Sequence, residues 1–375
     1  MKTIVIATDS FKGSASSQEV AENLQRGLTA ANPSLKIKKV PLADGGEGTV
    51  TAIVNATKGH LISTRVSGPT GSQIDAKWGQ IDDQTAVIEM AAAAGYTQGQ
   101  TTDVAVRSTY GVGELIEAAL DHGVSKILLG LGGSSTNDGG VGMAQALGGH
   151  FYDRNGYEIS RGIGGLKDLD KVDLTQIDHR MSTVQMIGLS DVENPLTGQL
   201  GATRIFGPQK GIQDEQIADF DARLQRLARL TAATVGKDLS QVPGAGAAGG
   251  LEFGVLAFLK GKLTSGIDEI MKLVDLKAML CDADWVITGE GRIDSQTLSG
   301  KLPMGVAKLA DSAKVPVIAV AGSLAADIQP LYDQGFDLIV STTTRPLTVQ
   351  EAIHQAPQLI EQTGFRIGKL IQLIN

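Results

Sequence analysis

Five short stretches of this 375-residue chain gather carboxylates, hydroxyls, bare glycine backbone and a few cations. "ATDSFKGSASS" holds Asp9, Ser10, Lys12, Gly13 and Ser14, and "ADGGEGT" holds Asp44, Gly45, Gly46, Glu47 and Gly48. "LGLGGSSTNDGGVG" (129–142) holds Gly132, Gly133, Ser134, Ser135 and Asp138. "VQMIGLSDVENP" supplies Asp191 and Glu193. "TGEGRIDSQTLSGK" supplies Gly289, Glu290, Gly291, Arg292, Asp294 and Lys301. A Gly/Ser loop can hold a phosphate, because its bare N–H groups can point at the anion. The 129–142 stretch contains no lysine or arginine, so the positive charge must come from elsewhere. Lys12 is the first candidate, with Arg292 and Lys301 as helpers. Acidic residues beside a phosphate loop have a standard use, since Mg²⁺ prefers oxygen ligands and bridges carboxylates to phosphates. Phosphoryl transfer asks the protein for positioning, charge neutralisation and an oriented hydroxyl, and this inventory fits that list.

Roles follow from residue chemistry. Lys12 and the N–H groups around Gly132–Ser135 would stabilise the transferring phosphoryl group. Asp44, Glu47 or Glu290 would hold Mg²⁺, directly or through water. Asp191 would orient or deprotonate the acceptor hydroxyl. The planar fork of Arg292 suits a carboxylate or a phosphate. Each residue has a plainer reading. Asp9 and Asp44 could cap helices, Lys12 could be a solvated loop lysine, and Asp191 could bond its own turn. The glycine loop could serve close packing, and Glu290 with Arg292 could form a local ion pair. The weight lies in their joint occurrence at the ends of strands, where ligands bind in open parallel sheets.

Other chemistries find less support. The five histidines (His60, His122, His150, His179, His354) are scattered without zinc spacing. No G-x-S-x-G elbow, no G-x-x-x-x-G-K-[ST] phosphate loop and no protein-kinase set is present. The glycine loop does not match G-x-G-x-x-G, so a nicotinamide-dependent oxidoreductase is weakly supported.

These segments need strands to present them. "TIVIATD" (3–9), "IKKVPLAD" (37–44), "KILLGLGG" (126–133), "WVITGEGRID" (285–294), "VPVIAVAGS" (315–323) and "DLIVSTTT" (337–344) read as strands, several of them followed by helical periodicity. Ser16 and Glu19 have capping-box spacing, and Val20, Leu24 and Leu28 share one helical face. Such alternation implies βαβ units and a mostly parallel sheet. Residues 60–90 carry turn signals between short alternating runs and read as antiparallel, and "HFYDRNGYEI" reads as a hairpin. "DEQIADFDARLQRLARL" reads as a charged helix, "PGAGAAGGLEFG" as tight packing, and "VQEAIHQAPQLIEQTGFRIGKLIQLI" as closing helix. The expected fold is α/β: a Rossmann-like parallel-sheet domain (1–59, 105–149 and 271–375) with a second, inserted mixed α/β domain (60–104 and 150–270), and the site in the cleft between them.

Length is ample for two cores. The net charge of −8 argues against a nucleic-acid or anionic-membrane partner. One cysteine, Cys281, excludes a disulfide within the chain, and its neighbourhood "AMLCDADWVI" reads as core. "MKTIVIATD" reads as a strand rather than a signal peptide, and no apolar run approaches a membrane span. A soluble cytoplasmic protein is expected; a homo-oligomer stays open.

"DSFKGSASS", "PLADGGEGT", "LGLGGSSTNDGGVGMAQALG", "SDVENPL", "GATRIFGPQKG", "GAGAAGGLEFG" and "TGEGRIDSQTLSGK" stand in the order and approximate spacing of the bacterial glycerate kinase family, type 1. The resemblance spans nearly the whole chain and rests on seven blocks. Thr8 departs from it, standing where the family often has proline. The resemblance implies two α/β domains and phosphorylation of D-glycerate by Mg-ATP, with 2-phosphoglycerate the expected product and 3-phosphoglycerate the alternative. It implies that Asp9, Ser10, Lys12, Ser14, Asp44, Gly45 and Gly46 lie at the glycerate and phosphoryl site. The nucleotide is then expected at Gly132, Gly133, Ser134, Ser135, Asp138, Gly289 and Gly291. A metabolite-binding module without catalysis is the competing class.

Overall fold

The computed structural model describes every residue except Asp44, Glu47, Gln100, Thr101, Gly300 and Asn375. Thirteen strands are present among the described residues: β1 (Thr3–Thr8), β2 (Lys36–Lys39), β3 (His60–Ser67), β4 (Gln73–Gln80), β5 (Thr85–Glu89), β6 (Lys126–Gly130), β7 (His150–Asp153), β8 (Leu169–Asp173), β9 (Gln185–Leu189), β10 (Lys262–Thr264), β11 (Trp285–Ile293), β12 (Val317–Leu324) and β13 (Leu338–Ser341). They fall into two units. Unit 1 comprises Met1–Asp44, Asn55–Thr57 and Ile267–Asn375, and unit 2 comprises Gly45–Val54 and Lys58–Gly266.

Unit 1 is built on a five-stranded sheet in the order β13-β12-β11-β1-β2, parallel throughout. Counted within the unit this is 2-1-3-4-5, a doubly wound order whose switch point lies between β1 and β11. After β1 the helix Ser17–Ala31 starts on the expected capping box: Ser16 Oγ accepts from the Glu19 N–H, and the Glu19 carboxylate accepts from the Ser16 N–H at 2.8 Å. Val20, Leu24 and Leu28 are fully buried, in a core shared with Ile4, Ile6, Ile287, Ile318, Ile360 and Ile367. The closing segment forms two helices, Val349–His354 and Ala356–Leu373, with proline at the start of the second. Cys281 is exposed rather than core, because the short helix it ends buries only Leu276 and Leu280.

Unit 2 carries a six-stranded mixed sheet, β10-β9-β6-β5-β4-β3. The β3–β4 and β4–β5 pairs are antiparallel, as the turn signals over 60–90 imply, and the rest are parallel. Its core includes the fully buried Trp78, Phe151 and Phe253. The Asn155-Gly156 turn is made, but the main partner of β7 is β8. One expectation needs correction. Segment 105–149, read from sequence as part of the first domain, belongs to unit 2, as do Gly45–Val54. The run "KILL" is apolar enough for either parallel sheet, and its pairing with β5 and β9 decides the matter.

Candidate active site

In unit 1 the first and last motifs meet at the switch point. β1 and β11 run in register to Thr8 beside Gly289, and the Asp9 N–H then donates to the Gly289 carbonyl at 2.9 Å. "DSFKGS" turns tightly: Phe11 bridges Ala15, Ser14 Oγ donates to the Phe11 carbonyl, and Gly13 takes a positive φ of 78°. The turn leaves Lys12 exposed, with no ion pair among the described residues. Asp9 and Ser10 are half-buried, and the Asp9 carboxylate accepts the Ser10 N–H at 2.6 Å. Gly289 and Gly291 serve close packing. A Cβ at Gly289 would stand 2.1 Å from the Val320 carbonyl oxygen, and one at Gly291 would stand 3.3 Å from the Lys12 backbone nitrogen.

β11 also delivers a charged network. The buried Thr297 hydroxyl donates to Glu290 Oε1 at 2.8 Å, and Lys301 Nζ donates to Oε2 at 3.1 Å. Arg292, largely exposed, pairs through Nε with Asp294 at 3.4 Å. Burial pushes the Glu290 carboxyl up, against Thr297 and Lys301, and Asp294 adds to the rise. Each Glu290 oxygen accepts one protein donor, and through Oε2 Glu290 anchors Lys301. Asp44 and Glu47, the other expected metal residues, lie outside the described residues. Among the described residues no group of three or more histidine, cysteine or acidic side chains can hold a metal ion.

In unit 2 the parallel strands β5, β6 and β9 finish in one row, Glu89–Gly130–Leu189. The glycine loop therefore lies beside Ser190 and the exposed Asp191. Gly45 and Gly46 pack onto that loop. The Gly132 N–H approaches the Gly45 carbonyl at 3.4 Å, and a Cβ at Gly132 would stand 2.6 Å from the Gly46 Cα. Ser135 is turned inward, its N–H and hydroxyl both donating to the Ala94 carbonyl at 3.0 Å. Gly133 and Ser134 remain on the surface side, and their N–H groups make no hydrogen bond among the described residues. Of the five loop residues expected at phosphate, these two keep N–H donors without a partner among the described residues.

Asp138 does not face a ligand. It is fully buried and accepts from five donors: Ser108 Oγ, Thr109 N and Oγ1, and the N–H groups of Gly140 and Gly142. Burial still pushes its carboxyl up despite those donors. Asp138 shapes the loop, which corrects its assignment to phosphate.

The loop's carbonyls meet two buried cations that the strand-end inventory missed. Arg107 Nη1 donates to the Ser135 and Lys210 carbonyls at 3.2 and 2.9 Å, and Lys210 Nζ donates to the Thr136 carbonyl at 2.7 Å. Behind them lies Glu252, fully buried on the helix Ala247–Ala257. That helix opens with left-handed Ala248, Gly249 and Gly250, and Gly249 presses onto the loop: a Cβ there would sit 2.0 Å from the Thr136 oxygen. Tight packing was the sequence reading of this stretch. Lys210 and Glu252 sit in "GATRIFGPQKG" and "GAGAAGGLEFG", blocks that carry the resemblance without lying at a strand end.

A doubly wound parallel sheet with charged loops at its switch point, and a mixed sheet ending in a glycine loop, define a two-unit α/β protein. The glycerate kinase family model matches residues 4–372, and the chain belongs to that family. A glycerate kinase of Bacillus subtilis (strain 168) is 44% identical over 373 residues, covering 99% of this chain and 98% of that one. A glycerate 2-kinase of Escherichia coli (strain K12) is 44% identical over 356 residues, covering 94% and 93%. The crystal structure of a chain named glycerate kinase 2 from Salmonella typhimurium LT2 superposes with a TM-score of 0.89 at 42% identity, covering 99% of this chain and 98% of that one.

Proposed function

We propose that this chain transfers the γ-phosphoryl group of ATP to D-glycerate, forming 2-phosphoglycerate, with Mg²⁺ accompanying the nucleotide. The observation that carries the reading is the meeting of "DSFKGS" and "TGEGRID" at the switch point of the unit 1 sheet, where doubly wound sheets bind ligands. The Escherichia coli relative's name supports the 2-position. In unit 1, Lys12 is available to neutralise the transferring phosphoryl group, and Arg292 to pair with the glycerate carboxylate or a phosphate. In unit 2, the free N–H groups of Gly133 and Ser134 receive a phosphate, and Asp191 orients the acceptor hydroxyl or takes its proton. Asp9, Ser10, Ser14, Gly45 and Gly46 shape the turns that present these groups. Mg²⁺ would neutralise phosphate charge. A reaction that consumes ATP supports a cytoplasmic location.

Phosphorus NMR of the protein with MgATP and D-glycerate tests this directly. A new 2-phosphoglycerate signal is expected. A 3-phosphoglycerate signal would move the glycerate pose, and unchanged ATP with folded protein would sink the kinase reading for this substrate. Lys12→Ala and Asp191→Asn are each expected to lower kcat by about 10²–10³-fold. Near-normal rates in both would overturn their roles.

A further inference from the structure

Four buried oxygens, on the glycine loop and on the helix that packs against it, have no hydrogen-bond partner among the described residues: Thr136 Oγ1, Asn137 Oδ1, and Oε1 and Oε2 of Glu252. All three residues are fully buried. Buried carboxylates are ordinarily paired or hydrogen-bonded, so an unpartnered one calls for a reason beyond packing. The neighbours show what it is placed between. Gly249, three residues before Glu252, packs against Thr136 and Asn137, and the Gly139 N–H donates to the Gly249 carbonyl at 3.0 Å. The Ser190 hydroxyl, at the end of β9, lies near enough to favour the carboxylate without completing a hydrogen bond. The Lys210 ammonium acts on it by charge while bonding the Thr136 carbonyl.

We propose that Glu252 is a positioning residue of phosphoryl transfer, tying the end of β9 that carries Asp191 to the glycine loop through Ser190 on one side and Lys210 on the other. The proposal rests on the kinase reading above and deepens it. Its geometry is that of a brace behind the reacting groups: Glu252 is wholly enclosed and one residue from Asp191 by way of Ser190. The two strand ends it joins, β6 and β9, are adjacent and in register at Gly130 and Leu189. The remaining charges around it are Lys210 from the helix Ala202–Lys210, Asp138 from the loop, and Arg107 beyond Lys210. Burial pushes the Glu252 carboxyl up to about 8, opposed by Ser190 and Lys210. Burial brings Lys210 down to about 7, opposed by Glu252 and Asp138 and reinforced by Arg107. Burial disfavours both charges, and each partner opposes that effect on the other.

Glu252→Gln keeps the shape and removes the ionisable group; Glu252→Asp keeps that group on a shorter stem. Assayed with MgATP and D-glycerate, Glu252→Gln is expected to lower kcat by up to about 10²-fold, the loss that a small misplacement brings, with KM little changed. Glu252→Asp is expected to recover part of that loss. The pH–rate profile supplies a readout that a merely structural role would not move. Removing Glu252 takes away the charge that raises Lys210, so the inflection near neutral pH shifts downward in Glu252→Gln. Hydrogen exchange of substrate-free protein supplies a readout independent of activity. Faster exchange is expected in residues 129–140 and 187–194, and unchanged exchange in unit 1. Where Glu252→Gln fails to fold, Ser190→Ala is expected to loosen 187–194 and lower kcat in the same way. A wild-type chain that leaves glycerate unphosphorylated would sink the kinase reading, while the exchange result would still decide the brace. Wild-type kinetics, profile and exchange in the folded variants would overturn the inference.

Discussion

Asp138 and Glu252 are both acids without solvent contact, and they differ in what surrounds them. Asp138 has five donors and no need of a cation. Asp138→Asn halves its accepting capacity and sets an amide against backbone N–H groups. A loss of about 1–3 kcal/mol is expected, the usual penalty for buried donors left unmet, measured by urea denaturation. Glu252 has no such shell, and its effect on stability depends on pH. Its folded-state carboxyl is raised from 4.5 to about 8, so between those values the folded chain holds a proton that the unfolded chain has lost. Glu252 therefore makes stability fall as pH rises through that window. Glu252→Gln removes the slope, so the variant is expected to gain stability relative to wild type between about pH 5 and 8. A thermal-melt series across pH checks this; a difference independent of pH would refute it.

At the level of elements, close approach decides more than propensity. The helices Ser17–Ala31 and Ala356–Leu373 touch along glycines: a Cβ at Gly27 would sit 1.9 Å from the Glu361 carbonyl oxygen, and one at Gly364 would sit 2.5 Å from that of Leu24. Gly27→Ala removes a helix-weakening glycine, worth up to about 1 kcal/mol in an exposed helix, but forces two backbones apart. The clash wins, and a net loss of about 1–3 kcal/mol is expected from overpacking, read from the urea midpoint. An unchanged or higher midpoint would show that the helices can separate freely. The same logic explains the stretch "GAGAAGGLEFG", where Gly249 and Gly250 take positive φ values of 71° and 87° so that the helix can meet the glycine loop backbone to backbone.

For the whole molecule, two sheets of different character divide the work. The parallel sheet presents cations on exposed turns, and the mixed sheet presents a glycine loop stiffened from behind by buried charges. Among the described residues no helix is long and apolar enough to cross a membrane. Substrates that bind the folded chain must raise its stability, by about 2.7 kcal/mol at a hundredfold excess over Kd. Thermal shift with ATP, with D-glycerate and with both is expected to show such stabilisation, accompanied by turnover when both are present. Stabilisation by both without turnover would favour the binding-module class over the kinase.

Much of this was legible in the residues. The strand runs, the Ser16–Glu19 cap, the antiparallel stretch over 60–90 and the exposed chemistry of "DSFKGS" follow from local periodicity and capping, which neighbouring residues decide among themselves. Partner choice is not local. An apolar strand such as Lys126–Gly130 carries no label for its sheet, so the placement of the glycine loop in unit 2 waited on pairing with β5 and β9. Inward or outward direction is not local either. Asp138 and Glu290 look like ligand carboxylates in one dimension, and only packing turned one onto backbone N–H groups and the other onto Thr297 and Lys301. Lys210 and Glu252 are 42 residues apart in the chain and meet only because helices from both places close over one loop. Sequence alone determined which elements form and what chemistry the motifs can perform. The tertiary structure decided which side chains are buried, because desolvation and hydrogen bonding act between groups that only folding brings together.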